Sequence, residues 1–269
     1  MLRGLSELER WRPGGPAREL AKPILENLFL PLAGRYGHYP IDPADREAAG
    51  SYSGTHHKQI GDWVLSSDIG CYAIGMDGVI DAYDVFRDER LVPLVNEMVD
   101  RFLEIDLAPI QAQTHATLTG CRGLMRWAAL ADRPELVQAV QQRYQLYTEL
   151  AWTETYANYN WFGRPRWTEP CAVVDSLMVV MELWRHYGDP SYLEHAQLIW
   201  FNALGHGQRA NGGFGCDNCP GADGSTKLSF STVESHWCCT MRGSEGLARM
   251  TQYQVFEYES TLTLPFLLS

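Results

Sequence analysis

Gly188-Asp189-Pro190-Ser191-Tyr192-Leu193 separates two long apolar stretches, one covering residues 171–187 and the other ending at Leu204. Aspartate is a favoured N-cap and proline is favoured at the first helical position, so the motif predicts that one helix ends and another begins here. Apolar runs with helical spacing also flank Asp88 and Asp132. The sequence therefore predicts three helical hairpins, each with an aspartate near its hinge.

The spacing of these hinges indicates how the hairpins are arranged. Asp88, Asp132 and Asp189 lie 44 and 57 residues apart, which is too irregular for a solenoid of short repeats. It suits an all-α fold in which helical hairpins form an (α/α) toroid or barrel and the connections between hairpins gather at one end of a central cavity. An irregular all-α array without a cavity is the alternative.

The remaining segments extend this predicted domain, residues 17–252, at both ends. Residues 1–16 are polar and interrupted by glycine and proline, and we expect a loose leader there. Within residues 253–269, Tyr253–Tyr258 and Thr261–Leu264 alternate in the manner of short strands. Because a lone β hairpin is only marginally stable, we interpret it as the start of a β-sandwich. A missing C-terminal β domain or a second copy of the chain would then cover its edges.

Composition narrows the class of partner. The formal net charge of −11 disfavours nucleic acid and anionic membranes, because both favour a basic surface. Nine tryptophans and an aromatic content of 12% suit a carbohydrate partner, although aromatic side chains fill protein cores equally well. No stretch has the pattern of a secretory signal or a membrane helix, so we expect a cytoplasmic protein.

Two short motifs carry most of the chemistry-bearing residues. Glu169 and Cys171 form a Glu-x-Cys at the start of a predicted helix, and Cys238 and Cys239 form a vicinal pair near the C-terminal end. Zinc accepts mixed thiolate and carboxylate ligands, and a helix N-terminus helps to keep thiolates ionised. We therefore predict that these four residues share one Zn²⁺ and that one of the thiolates is reactive.

Two other interpretations of the cysteines remain open. Buried cysteine is a common small hydrophobic residue, and we expect Cys71 and Cys121 to be of this kind. Cys216 and Cys219 form a Cys-x-x-Cys, which with Cys238 and Cys239 would make a four-cysteine zinc site. Zinc would then be purely structural and the protein a non-catalytic helical protein, with a cavity that binds sugar or nothing.

At this point the motifs resemble a known family. Thr168-Glu169-Pro170-Cys171-Ala172, followed 67 residues later by the Cys238-Cys239 pair (238 − 171), is similar to glycoside hydrolase family 127, the bacterial β-L-arabinofuranosidase-like proteins. Gly61-Asp62-Trp63, at the start of a predicted helix, is a further match. The resemblance implies a helical-toroid catalytic domain and a retaining glycosidase acting on a terminal L-arabinofuranoside or a related sugar. It also implies zinc bound by Glu169 and the three cysteines, and Cys238 as the nucleophile.

The predicted proton donor and sugar contacts are less well defined. The resemblance places a glutamate before the Glu-x-Cys, and Glu154 is the best candidate although the family's surrounding glycines are missing; Glu234 is the second choice. The resemblance also implies that His115 lines the sugar pocket. We assign His236 to the substrate site as well, together with a polar aromatic cluster ahead of the Glu-x-Cys that a structural turn would explain equally well, namely Asn158, Asn160, Trp161 and Arg164.

Overall fold

The computed structural model describes residues 1–45, 56–66, 69–165, 167–218, 229–230, 234–235 and 238–266. Among these residues no helix combines the length and apolar composition that a membrane span requires. His236 and Cys219, both assigned roles from the sequence, lie outside the described residues.

Helices dominate the described structure. The α-helices are Leu2–Trp11 (α1), Ala17–Ile24 (α2), Gly70–Phe86 (α3), Leu91–Leu103 (α4), Thr114–Leu130 (α5), Glu135–Leu150 (α6), Pro170–Tyr187 (α7), Pro190–Leu198 (α8), Gly205–Gly207 (α9) and Cys239–Gln252 (α10). The strands are His56–Ile60 (β1), Trp63–Ser66 (β2), Trp167–Thr168 (β3), Asp217–Asn218 (β4), Ser229–Phe230 (β5), Phe256–Tyr258 (β6) and Thr261–Thr263 (β7). The strands form three small antiparallel sheets, β1-β2, β3-β4-β5 and β6-β7.

The predicted hairpins correspond to α3–α4, α5–α6 and α7–α8, and the predicted β hairpin corresponds to β6–β7. Asp189 is the N-cap of α8 and its carboxylate accepts a hydrogen bond from the backbone amide of Ser191 at 2.9 Å. Asp88 likewise accepts from the amide of Arg90 at 3.1 Å. Asp132 differs, because its φ of 53° places it in the left-handed region, three residues before α6 begins. The helical and hairpin predictions are confirmed, with Asp132 acting as a turn residue.

The structure corrects the predicted loose leader. Residues 2–11 form the regular helix α1, with Leu2 and Ser6 buried. Arg10 pairs with Asp81 of α3 at 2.8 Å, and Asp81 is almost fully buried. Favourable pairing of this kind compensates the cost of burying a carboxylate, so α1 is fastened to α3 by charge as well as by apolar contacts.

Two further local expectations are wrong. Cys71, predicted to be a core residue, is exposed on α3, whereas Cys121 is buried as expected. Gly61 and Asp62, expected at the start of a helix, form the turn between β1 and β2, and Trp63 belongs to β2. Gly61 has a φ of 56°, a conformation that glycine adopts without a steric penalty.

The chain divides into two compact units, Met1–Val140 and Gln141–Ser269. In the first unit α3 is the central helix and packs against α1, α4 and α5. In the second unit α7 is central and packs against α8, the π-helical segment Ile199–Leu204 and α10. Every residue from Pro170 to Met181 is buried, as expected for a helix whose faces all pack against the core.

The helix α10 approaches α7 closely at Gly246. A Cβ at this position would lie 2.7 Å from Val174 and 2.9 Å from Leu204, distances that real side chains do not tolerate. Glycine is therefore required where α10 crosses α7. This crossing sets the position of the first turn of α10, two turns away.

We expect Gly120→Ala in α5 to destabilise the protein by about 1–3 kcal/mol, because overpacking a filled core forces neighbouring side chains to move. The new Cβ would lie 2.5 Å from the ring of Phe102, which is fully buried. Gly4→Ala in α1 is the matched control: no atom lies within 4 Å of its Cβ position, and the change should be neutral or stabilise the helix by up to about 1 kcal/mol. Urea unfolding of both variants measures the difference, and equal stabilities would contradict the packing argument.

Candidate metal centre and active site

The four residues predicted to bind metal lie together in the second unit. Glu169 is the N-cap of α7 and Cys171 lies in its first turn, while Cys238 is the N-cap of α10 and Cys239 is its first residue. One ligand atom from each residue lies within 4.8 Å of the ligand atoms of the other three. The first turns of two helices thus bring together residues that are nearly seventy positions apart in the sequence.

The distances within this cluster are those of non-bonded groups. The Sγ atoms of Cys171 and Cys238 are 3.1 Å apart, and the Sγ of Cys238 lies 3.6 Å from Glu169 Oε1. A disulfide would require about 2.05 Å, and none of the three cysteines is disulfide-bonded. Three thiols and one carboxylate form a donor set that one tetrahedral ion could accept.

Accessibility distinguishes the four residues. Glu169, Cys171 and Cys239 are 5%, 0% and 2% exposed, whereas Cys238 is half-buried. A reactive thiol must be reachable by its substrate, and buried structural thiols are inert. Among the three thiols of the cluster, Cys238 therefore has the best access to a ligand.

The surroundings of the cluster favour the neutral form of the Cys171 thiol. The pKa of Cys171 is raised well above its ordinary value by hydrogen bonds with the thiols of Cys238 and Cys239, by burial, and by the nearby Glu169 carboxylate. All of these favour the neutral thiol, since a second negative charge beside a buried carboxylate is costly. The positive ends of the α7 and α10 dipoles oppose this only in part. A bound cation would remove the conflict and permit the thiols to ionise.

Asn158 holds the Glu-x-Cys segment in place. Its side chain is fully buried, and its Oδ1 accepts hydrogen bonds from Thr168 Oγ1 at 3.0 Å and from the Glu169 amide at 3.3 Å. The sequence offered Asn158 either as a sugar contact or as part of a structural turn. These contacts support the structural role.

A buried ion pair lies one turn deeper in the same two helices. Arg242 of α10 pairs with Asp175 of α7, and the Asp175 side chain is fully buried. Asp175 follows Cys171 by four residues and Arg242 follows Cys238 by four residues, so each charge lies beneath a thiol. This pair was not predicted. The only signal in the sequence was the shared four-residue spacing from the two cysteine motifs.

A fourth cysteine borders the cluster. The Sγ of Cys216 lies 3.7 Å from the Sγ of Cys239, and both thiols are buried. The sequence placed Cys216 in a possible four-cysteine site with Cys219, which the structure does not describe. Cys216 itself is brought to the predicted metal centre.

The predicted acid residues have different surroundings. Glu154 is exposed on the turn between Trp152 and Asn158, which are joined by an isolated β-bridge. Glu234 is half-buried, and its carboxylate accepts hydrogen bonds from Asn211 Nδ2 at 2.7 Å and from Thr240 Oγ1 at 3.0 Å. Glu234 thereby ties the 208–214 segment to the first turn of α10.

The predicted sugar contacts are placed as follows. Asn160 and Trp161 are 0% and 1% exposed, which leaves no surface of either side chain for a sugar in this structure. The guanidinium of Arg164 lies 4.8 Å from the centre of the Trp161 ring. His115 is partly exposed in the first turn of α5, in the first unit, with its Nδ1 3.4 Å from Thr119 Oγ1. The substrate roles of these residues stay predictions.

Comparison with known families gives the identity of the fold and the motifs. Residues 28–252 match the family model of the β-L-arabinofuranosidase GH127 catalytic domain. The chain therefore belongs to this glycoside hydrolase family, as its cysteine motifs predicted. No curated protein matches the chain.

Solved structures show the same fold at low sequence identity. Cellobiose 2-epimerase from Bacillus thermoamylovorans B4167 is 12% identical, with a TM-score of 0.64 over 93% of this chain and 69% of its own. A sugar epimerase from a ruminal bacterium, also 12% identical, gives 0.58 over the same shares. The α-1,6-mannanase GH76A from Salegentibacter sp. HEL1_6 is 12% identical and gives 0.55 over 83% of this chain and 65% of its own.

These likenesses confirm the predicted α/α-toroid fold class. An inactive variant of the same mannanase with bound α-1,6-mannotriose gives a TM-score of 0.52 at 12% identity, and it aligns with 69% of this chain. The chain spans 56% of the length of that variant and 65–69% of the lengths of the other three proteins. At this level of identity the comparisons establish the fold alone.

The raised pKa of Cys171 predicts how the stability of the metal-free protein depends on pH. The folded state keeps a proton that the unfolded state loses near pH 8.5, so the stabilisation is complete below that pH and is lost as pH rises towards the folded pKa. We expect the free energy of unfolding to fall by up to about 1.4 kcal/mol per pH unit between about pH 8.5 and 10.

Urea titrations of chelator-treated protein across this range measure the slope. Cys171→Ser is the control and should show a shallower decline. Protein saturated with Zn²⁺ should not show the decline, because bound cation holds the folded thiols ionised. An identical slope in the serine variant would show that Cys171 is not responsible.

Proposed function

We propose that this member of the GH127 family is a retaining glycosidase in which the Cys238 thiolate attacks a terminal L-arabinofuranoside or a related sugar. The observation that carries the proposal is the position of Cys238. It is the accessible thiol in a cluster of three cysteines and a glutamate whose ligand atoms lie within 4.8 Å of one another. Family membership supplies the glycosidase class.

Zinc is the metal that we infer for this cluster. The donor set of three thiols and one carboxylate fits a tetrahedral Zn²⁺, and a bound cation would oppose the thiol hydrogen bonds and the burial that raise the pKa of Cys171. Glu169, Cys171, Cys238 and Cys239 would hold the ion. Bound zinc would keep the Cys238 sulfur ionised near neutral pH and lower its basicity.

The reaction then follows the general scheme of retaining glycosidases. The Cys238 Sγ forms a bond to the anomeric carbon while the glycosidic C–O bond breaks, and Glu154 gives its proton to the leaving oxygen. In the second half, a water molecule attacks the same carbon, its proton passes to the Glu154 carboxylate, and the Cys238 thiolate leaves. Two displacements at one carbon restore the original configuration.

The surrounding residues support the positioning of this nucleophile. Asn158 fixes the backbone at Glu169, and the Asp175–Arg242 pair joins the two helices that carry the thiols. Held in this way, the sulfur of Cys238 loses little freedom when a substrate binds, which lowers the entropic part of the barrier.

Glu154 remains our candidate for the proton donor. Glu234 already accepts two hydrogen bonds that connect the 208–214 segment to α10. These bonds favour a structural role for Glu234. His115 and His236 are proposed to contact the sugar. Asn160 and Trp161 are buried, and the Trp161 ring lies beside Arg164. They would contribute to the sugar site by fixing the conformation of their loop.

The C-terminal hairpin supports the proposal of a covering β domain or a second copy. Tyr258 and Leu262 of the two-stranded sheet β6-β7 are 75% and 67% exposed, and large exposed apolar side chains on so small a sheet favour association. We also propose a cytoplasmic location, because cysteines that form no disulfide persist in a reducing compartment.

Cys238→Ala tests the nucleophile. We expect kcat/KM on an aryl L-arabinofuranoside to fall by at least about 10³-fold, as for loss of other enzymatic nucleophiles. Cys71→Ala removes an exposed thiol of the first unit and should keep full activity. Metal analysis accompanies both variants. Activity retained by Cys238→Ala would make the cluster a structural metal site.

Glu154→Gln and Glu234→Gln form a matched pair that tests the proton donor. We expect Glu154→Gln to lower the rate by about 10²–10⁴-fold with a poor leaving group. The loss should be far smaller with a dinitrophenyl glycoside, because that leaving group needs no proton. Glu234→Gln should affect both substrates equally. The reverse pattern would assign the donor to Glu234.

A further inference from the structure

We propose that Cys216 is a reserve ligand of the metal centre, a thiolate that takes the donor position of Cys238 whenever the Cys238 sulfur is bonded to carbon. This inference rests on the proposed function, because a further ligand is needed only if the Cys238 sulfur becomes bonded to the sugar. Cys216 lies outside the set of Glu169, Cys171, Cys238 and Cys239. The ligand is a thiophilic divalent cation such as zinc.

The distance between Cys216 and Cys239 is the first observation. Two thiolates on one tetrahedral zinc ion, each with a bond of about 2.3 Å, lie about 3.8 Å apart. The Cys216 and Cys239 sulfurs are 3.7 Å apart in the structure. The two sulfurs are thus in contact, at a separation that a shared metal would also allow.

The sheet beside the cluster gives an independent placement. In the antiparallel pairing of β3 with β4, Trp167 faces Asn218 and Thr168 faces Asp217. Glu169 directly follows β3 and Cys216 directly precedes β4, so the two residues lie at the same end of the sheet. The Cys216 sulfur contacts one member of the cluster, Cys239.

A buried ion pair holds Cys216 in this position. Arg209 Nη2 donates to the Cys216 carbonyl at 3.2 Å and to Asp217 Oδ1 at 2.7 Å, and the Arg209 and Asp217 side chains are 5% and 4% exposed. These two hydrogen bonds from Arg209 hold the backbone at Cys216 and thereby keep its thiol beside Cys239.

The chemistry of the proposed reaction explains the need. A thiolate is the form of cysteine that binds metal, and once the Cys238 sulfur carries a sugar it becomes a neutral thioether. The cluster then keeps Glu169, Cys171 and Cys239 as charged donors. Cys216, releasing its thiol proton to solvent, would restore a third thiolate.

Cobalt substitution of the full chain tests the proposal without an activity readout. Co²⁺ replaces zinc in thiolate sites, and the intensity of its thiolate-to-metal charge-transfer absorption follows the number of bound thiolates. The proteins compared are wild type, Cys216→Ala, Cys238→Ala and the double variant, each loaded with one equivalent of Co²⁺. Cys121→Ala combined with Cys238→Ala is the control, since Cys121 is a buried cysteine of the first unit.

A reserve ligand predicts a specific pattern. Wild type, Cys216→Ala and Cys238→Ala should show equal intensity per cobalt, because each binds three thiolates. The double variant should lose about one third of that intensity, having two of three thiolates. The Cys121 control should match Cys238→Ala.

Other patterns overturn the proposal. If Cys238→Ala already loses one third and the double variant loses no more, Cys216 does not bind. Loss in Cys216→Ala alone would make it a permanent ligand, and failure of Cys238→Ala to take up cobalt would show that no reserve exists. A wild type that binds neither Co²⁺ nor Zn²⁺ would instead refute the metal centre of the proposed function.

Discussion

The meeting of the first turns of α7 and α10 is the constraint on which the rest of the site depends. Each turn contributes two members of the cluster, and neither could form a four-donor site alone. The helices reach this contact because Gly246 lets α10 lie directly on Val174, and because the Asp175–Arg242 pair fixes their register one turn below the thiols. A shift of one helix by a single turn, about 5.4 Å, would separate the sulfurs completely.

This arrangement has an electrostatic consequence that links folding to function. Two helix N-termini concentrate positive dipole ends at one point, which favours anionic ligands there. Hydrogen bonds with the neighbouring thiols, burial and the Glu169 carboxylate nevertheless raise the pKa of Cys171 and favour its neutral form. Binding of a cation would permit the thiols to ionise and would contribute to stability as well as to reactivity.

Local sequence signals predicted much of this protein, whereas pairings across the chain escaped them. The hinge aspartates and apolar periodicity located the helical hairpins, and the Glu-x-Cys and vicinal cysteines identified the four clustered residues. The helical state of residues 2–11 was missed, and the pairing of Arg10 with Asp81, about seventy residues away, leaves no local signal. The exposure of Cys71 depends likewise on tertiary packing, since its flanking sequence is apolar. The structural duty of Asn158 and the approach of Cys216 to Cys239 follow from loop geometry, for which a single sequence carries no periodic signal.

The fold alone would not have identified the chemistry. Epimerases and a mannanase share this helical architecture at 12% identity, so the scaffold supports more than one reaction on sugars. What distinguishes this chain is the position of its cysteines. Three buried or half-buried thiols lie at two helix N-termini, and a fourth directly precedes the central strand of a short sheet. A strong, polarisable nucleophile that also leaves readily is useful when both steps of a substitution occur at the same carbon. The proposed thiolate nucleophile would require several sulfurs to be kept ionised in a small volume, and the α7–α10 contact would provide the framework for a cation that does so.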